Sequence, residues 1–80
     1  MATQRWHLTF PEHLVQQPIV YRLVRDHELV INIRRADVDE HVGWMMLECV
    51  GEPERLQAAR AWLIELGVAV SGVDGDVVAG

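Results

Sequence analysis

The sequence has a single cysteine, no lysine and no long apolar run. Cys49 alone can form neither an internal disulfide nor an iron–sulfur cluster held within this chain. No apolar stretch approaches the ~20 residues that a membrane-spanning helix needs. The first residues, Met1 to His7, lack the apolar segment of a signal peptide, so we expect a cytoplasmic protein without membrane insertion.

Positive charge is also scarce. Seven arginines face twelve acidic residues, which gives a formal net charge of −5. Nucleic-acid binding needs a basic face that releases counterions from phosphates, so this charge argues against a nucleic-acid partner. The chain is instead rich in apolar residues, which make up 50% of its 80 positions. That content predicts one folded domain over residues 1–80, with a thin core.

Alternating apolar and polar residues predict four strands. They cover residues 6–10, 29–34, 44–50 and 68–71. Pro11 closes the first strand and Gly51 ends the third. The polar residues 35–41 are expected to form the hairpin between the second and third strands. We expect an ordered core over about residues 4–74, with fraying after Val73 and a flexible tail at residues 75–80.

Two segments have apolar residues at helical spacing. Pro18 suits the first position of one helix, which should end near His27 and Glu28. Pro53, flanked by carboxylates, starts the other, and Gly67 is its expected left-handed stop. The order βαββαβ with right-handed crossovers predicts an α+β, ferredoxin-like fold, in which a four-stranded antiparallel sheet carries both helices on one face.

The sheet face without helices is predicted to mix apolar and polar side chains. By strand alternation it carries His7, Thr9, Val30, Asn32, Arg34, Trp44, Met46, Glu48, Ala69 and Ser71. Such a face is too apolar to be well solvated and too polar for a core. Partly apolar surface of this kind indicates association with another molecule.

Four segments, taken in order, resemble the NIL domain. They are Phe10 with Pro18-Ile19-Val20, then Leu29-Val30-Ile31-Asn32-Ile33, then Gly43-Trp44-Met45-Met46-Leu47-Glu48-Cys49-Val50-Gly51, and last Ala58-Ala59-Arg60-Ala61-Trp62-Leu63 with Gly67-Val68. The resemblance spans nearly the whole chain. The NIL family is best known as the C-terminal regulatory domain of methionine-import ABC ATPases, and it also occurs fused to ferredoxin-type cluster modules.

The resemblance implies a dimeric sensor that binds methionine near its Asn-Ile-Leu strand. Here the motif reads Asn32-Ile33-Arg34, so a guanidinium replaces the leucine. Glu28 occupies the helix stop where glycine is common, and the hairpin looks short. The sequence contains no Walker-type phosphate loop and no CxxCxxC run, so it includes neither usual fusion partner. The family's role in inhibiting an attached ATPase therefore does not carry over unchanged.

Four residues are the candidates for ligand binding: Asn32, Arg34, Trp44 and Met46. The Asn32 amide could orient an amino acid's carboxylate or ammonium, or it could only satisfy backbone groups at the sheet edge. Arg34 could hold a carboxylate bidentately, or it could be a solvated charge that discourages edge pairing. Trp44 and Met46 could clasp a thioether side chain or form a dimer contact.

No catalytic residue, metal ligand set or cofactor is predicted. The four histidines lack a shared metal-binding spacing, and no serine or cysteine has a nucleophile context. Acylphosphatase-like enzymes on this scaffold hold phosphate with an arginine in the loop after the first strand. Residues 11–17 contain neither arginine nor glycine. An RNA-recognition domain would need paired aromatics on the central strands and a basic surface, which Trp44 alone does not supply.

The leading hypothesis is therefore a non-catalytic, small-molecule-binding regulatory module. It would act as a homodimer and sense methionine or a related amino acid. The alternative is a protein-interaction adapter with no ligand of its own, which would work beside a separately encoded redox or sulfur-assimilation partner.

Overall fold

The computed structural model describes residues 1–78 of the chain, with side-chain burial described for residues 1–72. Four strands and two helices follow one another as β1 (Ala2–Phe10), α1 (Ile19–His27), β2 (Val30–Val38), β3 (Gly43–Gly51), α2 (Pro53–Leu66) and β4 (Ala69–Val78). The sheet is antiparallel with the order β2-β3-β1-β4. The predicted α+β, ferredoxin-like fold is thus confirmed.

One hydrophobic core lies between the sheet and the helices. It joins alternate residues of the two central strands, such as Trp6, Leu8 and Leu47, to Leu23 of α1 and Leu63 of α2. Each of these side chains is at most 2% exposed. Because the buried residues of β1 and β3 all point towards both helices, the opposite face of the sheet is left uncovered.

Both helices end at a residue in the left-handed conformation. Gly67 has φ 104° and donates its N–H to the carbonyls of Ile64 and Leu63 at the end of α2. Glu28 has φ 55° and donates its N–H to the Leu23 carbonyl at the end of α1. The predicted helix boundary near Glu28 is therefore confirmed, although its side chain is one that seldom adopts this conformation.

The strands are longer than predicted. β1 begins at Ala2 and pairs with β3 along its whole length. β2 continues to Val38, so residues 35–38, which were expected in the hairpin, are strand. β4 reaches Val78. The flexible tail expected at residues 75–80 stays a prediction, and its last two residues lie outside the described part of the chain.

The turn between β2 and β3 is fixed by an aspartate. The Asp39 carboxylate accepts the backbone N–H groups of His41 and Val42 at 2.7 and 2.8 Å. Both hydrogen bonds lower the pKa of Asp39, and the bond from Val42 has the larger effect. The Asp39 N–H in turn donates to the Val42 carbonyl at 2.9 Å, which closes the turn.

No helix among residues 1–78 is long and apolar enough to cross a membrane.

Candidate functional site

The uncovered face of the sheet, called the open face below, is organised in cross-strand rows. One row sets Asn32 of β2 opposite Glu48 of β3, which lies opposite Arg5 of β1. The next row contains Arg35, Met46, His7 and Ser71. A third contains Asp37, Trp44, Thr9 and Ala69. Directly opposite side chains on one face lie close enough to interact, so each row is a contact unit.

A charge cluster occupies the end of the open face near Asn32. The carboxylate Oε2 of Glu48 lies 3.5 Å from Nε of Arg5 and 3.7 Å from Nη1 of Arg34. The Glu48 side chain is 22% exposed, whereas the two arginines are 48% and 61% exposed. A single carboxylate is therefore shared by two guanidiniums. The cluster carries an excess positive charge next to the Asn32 amide.

A β-bulge brings Arg34 to this position. The pairing of β2 with β3 shifts between Ile33, opposite Leu47, and Arg35, opposite Met46. Arg34 is the extra residue, and its contact with Glu48 places its side chain on the open face. Two consecutive arginines of one strand therefore belong to the same face, where a regular strand would send them to opposite sides.

An aromatic pair occupies the other end of the open face. The rings of His7 and Trp44 are stacked, with centroids 5.4 Å apart and an interplanar angle of 16°. Met46 lies between this pair and the charge cluster, directly opposite His7. All three are half-buried. Aromatic and thioether groups together form a polarisable surface that suits an apolar or sulfur-containing side chain.

The four predicted binding residues lie on one face, but they do not form one compact pocket. Asn32 and Arg34 belong to the charge cluster, whereas Trp44 is four residues from Glu48 along β3, which corresponds to about 13 Å. Met46 bridges the two ends. An elongated ligand with a charged head and an apolar tail matches this order of groups better than a compact one.

Three further residues belong to the same surface. Arg5 was missed because β1 was expected to begin only at Trp6. His7 and Glu48 were placed on the open face by alternation, but no sequence motif marks them for binding. Their relevance follows from the register, which puts Glu48 between Arg5 and Asn32 and His7 beside Met46.

Two clefts on the described surface lie away from these residues, beside the loop after β1. One is apolar and is lined by Phe10, Leu14, Val15, Gln17, Ile19, Val20, Val38 and Met45. The other is open and is lined by Glu12, His13, Gln16, Gln17 and Glu40. None of the predicted binding residues lines either cleft.

The thiol of the single cysteine is unreactive. Burial among apolar residues, together with the neighbouring Glu48 charge, raises the pKa of the Cys49 thiol to about 12. A thiol that stays protonated at neutral pH is a poor nucleophile and a poor metal ligand. Within the described residues, no three His, Cys, Asp or Glu side chains are placed to share a metal ion.

Comparison with known proteins relates the chain to one protein family and to solved structures. The sequence profile of the NIL domain matches residues 4–71. The fold is similar to a crystal structure of the C-terminal domain of an ABC transporter ATP-binding protein from Enterococcus faecalis, with a TM-score of 0.77 and 18% sequence identity. That similarity covers 91% of this chain and 86% of the other. No curated protein matches the chain.

Proposed function

This chain belongs to the NIL domain family, and from that premise we propose that it is a non-catalytic regulatory module that binds methionine or a related amino acid as a homodimer. The observation that supports the proposal is the order of groups on the open face. Asn32 and the shared Arg34–Glu48 contact lie at one end, and the stacked His7–Trp44 pair lies at the other.

The charge cluster offers complementary contacts to both charges of an amino acid. A guanidinium binds a carboxylate through two parallel hydrogen bonds, and the Glu48 carboxylate accepts from an ammonium group. The exposed contacts between Glu48 and its arginines are weak, so a ligand can replace them at small cost. The thioether tail of methionine would then lie along Met46 towards Trp44.

Regulation would follow from a shift in population. A ligand that binds better to one geometry of the dimer than to another stabilises that geometry, and a partner protein can read the change. The similarity to the domain from the Enterococcus faecalis ABC transporter ATP-binding protein supports a role as part of a larger protein assembly. In this proposal the residues of the chain bind the ligand and catalyse no reaction.

The test is a thermal shift with L-methionine and the Asn32→Ala variant. Ligand well above its Kd stabilises the native state, so the Tm of the wild-type chain should rise by about 5 °C or more. Asn32→Ala removes the amide beside the charge cluster and should abolish the rise. Gln57→Ala, an amide truncation on an exposed position of α2, is the matched control and should respond like the wild type.

Two methionine derivatives separate the contacts. Methionine amide lacks the carboxylate and N-acetylmethionine lacks the ammonium group, so each should lose most of the shift. An unchanged Tm at millimolar methionine would refute amino-acid sensing. In that case the adapter function gains support from the open character of this face, and a stoichiometric protein partner that binds without any small molecule would establish it.

A further inference from the structure

The open face extends beyond the reach of a methionine side chain. Along β3, Glu48 and Met46 are two residues apart, as are Met46 and Trp44, and each step corresponds to about 7 Å. A methionine whose charged groups contact Glu48 and Arg34 therefore has its thioether near Met46. The groups around Trp44 then contact only a ligand that continues further along the same strand.

The stacked pair of His7 and Trp44 suits a flat ring. The centroids of the two rings are 5.4 Å apart, the rings are inclined by only 16°, and both side chains are half-buried. Nearly parallel rings that keep part of their surface in water can be stacked upon by a third ring. The bases of nucleosides stack on aromatic side chains in this way. This end of the open face therefore suits a heteroaromatic ring.

A carboxylate lies beside the aromatic pair. Asp37 of β2 is directly opposite Trp44 and is exposed. Among the side chains that the structure describes, Asp37 has no ion-pair partner within 4.0 Å. Aspartate and glutamate side chains accept hydrogen bonds from ribose hydroxyls in nucleotide sites. A free carboxylate next to a stacking surface therefore indicates a nucleoside more specifically than a plain aromatic group.

The charges of the open face favour a nucleoside over a nucleotide. The row of Trp44 contains the carboxylate of Asp37 and no arginine. A phosphate group needs positive charge next to it, and the chain as a whole has a formal net charge of −5. Arg5 and Arg34 lie at the other end, 3.5 and 3.7 Å from Glu48. A ligand with an amino-acid group at one end and an uncharged nucleoside at the other matches this order.

We propose that the open face binds an amino acid whose side-chain sulfur is joined to a nucleoside. The base stacks on the pair of His7 and Trp44, and the ribose hydroxyls donate to Asp37. The amino and carboxyl groups of the ligand contact Glu48 and Arg34, and its sulfur lies between the two ends. The inference rests on the proposed amino-acid binding and names a longer ligand class for the same surface.

The test is calorimetric titration with three probes: S-adenosyl-L-homocysteine, L-methionine and adenosine. S-adenosyl-L-homocysteine should bind the wild-type chain with a Kd about tenfold or more below that of methionine, which is the gain expected from stacking one base. Adenosine, which lacks the amino-acid group, should bind more weakly than S-adenosyl-L-homocysteine. Trp44→Leu removes the stacking surface and Asp37→Ala removes the acceptor. Each should reduce the advantage of S-adenosyl-L-homocysteine and leave the Kd of methionine nearly unchanged.

Controls keep the result specific. Glu65→Ala removes a carboxylate from an exposed position of α2 and should bind all three probes like the wild type. Circular dichroism checks that each variant folds, and the exposed Asp37→Ala tests the proposal even where Trp44→Leu does not fold.

Three results would overturn the nucleoside site. S-adenosyl-L-homocysteine that binds no more tightly than methionine, or an advantage that survives both substitutions, does so and leaves methionine binding intact. Adenosine that binds as tightly as S-adenosyl-L-homocysteine does so because the amino-acid group then contributes nothing. A chain that binds neither methionine nor S-adenosyl-L-homocysteine loses the proposed amino-acid binding as well.

Discussion

At the scale of single residues, Gly51 at the end of β3 has the least room for a side chain among the described glycines. A Cβ atom built on Gly51 would lie 2.6 Å from Cδ2 of Leu29. The Leu29 side chain is only 2% exposed, so the surrounding core limits how far it can move. Gly43, at the start of the same strand, has more room, with its nearest neighbour 3.4 Å from the Cβ position, on Val38.

Gly51→Ala should therefore lower the free energy of unfolding by about 1–3 kcal/mol, because the added methyl group displaces a packed leucine. Urea denaturation monitored by circular dichroism measures the loss. Gly43→Ala is the control within the same strand, and it should cost clearly less. Equal losses at the two positions would show that a general glycine effect, and not the contact with Leu29, is responsible.

At the scale of secondary-structure elements, α1 ends with strain that α2 avoids. Glu28 has φ 55° and ψ 42°, whereas α2 stops at a glycine. A residue with a Cβ pays about 1–2 kcal/mol in this left-handed region. The Glu28 side chain gains little in return, since its contact with Arg55, 3.4 Å between Oε1 and Nη1, is exposed.

Glu28→Gly should consequently stabilise the domain by about 0.5–1 kcal/mol. The substitution relieves the strain of the left-handed conformation, and the greater backbone entropy of glycine in the unfolded state offsets part of that gain. A rise in Tm of about 2–8 °C in a calorimetric scan would report it. Glu28→Ala removes the contact with Arg55 and keeps the left-handed strain, so its stability should change little. A similar gain from alanine would contradict the strain explanation.

The ends of the strands show where the alternation of apolar and polar residues no longer predicts the structure. Alternation predicted all four strands, although among the side chains that the structure describes only β1 and β3 bury fully enclosed residues against the helices. It did not predict the ends of β2, because the bulge at Arg34 adds one residue and shifts the alternation of residues 35–38 out of phase. It also missed Arg5, since the polar residues before Trp6 are held in the sheet by backbone pairing with β3 and not by burial.

The sequence predicted which face of the sheet carries the candidate site, but it did not predict how the residues of the site lie relative to one another. Alternation alone assigns Asn32, Trp44 and Met46 to the same face. Their separation along the strands and the shared contact of Glu48 with two arginines depend on the register between strands. Register is set by pairings between residues distant in sequence, which no local pattern encodes.

At the scale of the whole molecule, charge is unevenly distributed. The chain has a formal net charge of −5, yet the open face gathers Arg5, Arg34 and Arg35 against Asp37 and Glu48. Among the side chains that the structure describes, this face thus has more arginines than carboxylates, which favours the approach of a carboxylate. It also disfavours random contacts between copies and favours those that align opposite charges.

Association should be visible in the thermal stability of the whole chain. A small domain buries a modest fraction of its surface, so the proposed second copy would contribute noticeably to its stability. The Tm should rise by several degrees when the protein concentration is raised about a hundredfold, since only the native state dimerises. A Tm of the wild type that is independent of concentration would contradict a dimer linked to folding.

The stacking of His7 on Trp44 has one more consequence, which is optical. Of the three tryptophans, Trp6 is buried and donates its indole N–H to Gln4, while Trp62 packs beside His27 with ring centroids 5.2 Å apart. A protonated imidazole in contact quenches indole emission. With Trp62 replaced by phenylalanine, Trp44 is the indole that reports on its histidine. The surface proposed to bind the amino acid thus contains its own fluorophore, which can report ligand binding without an attached label.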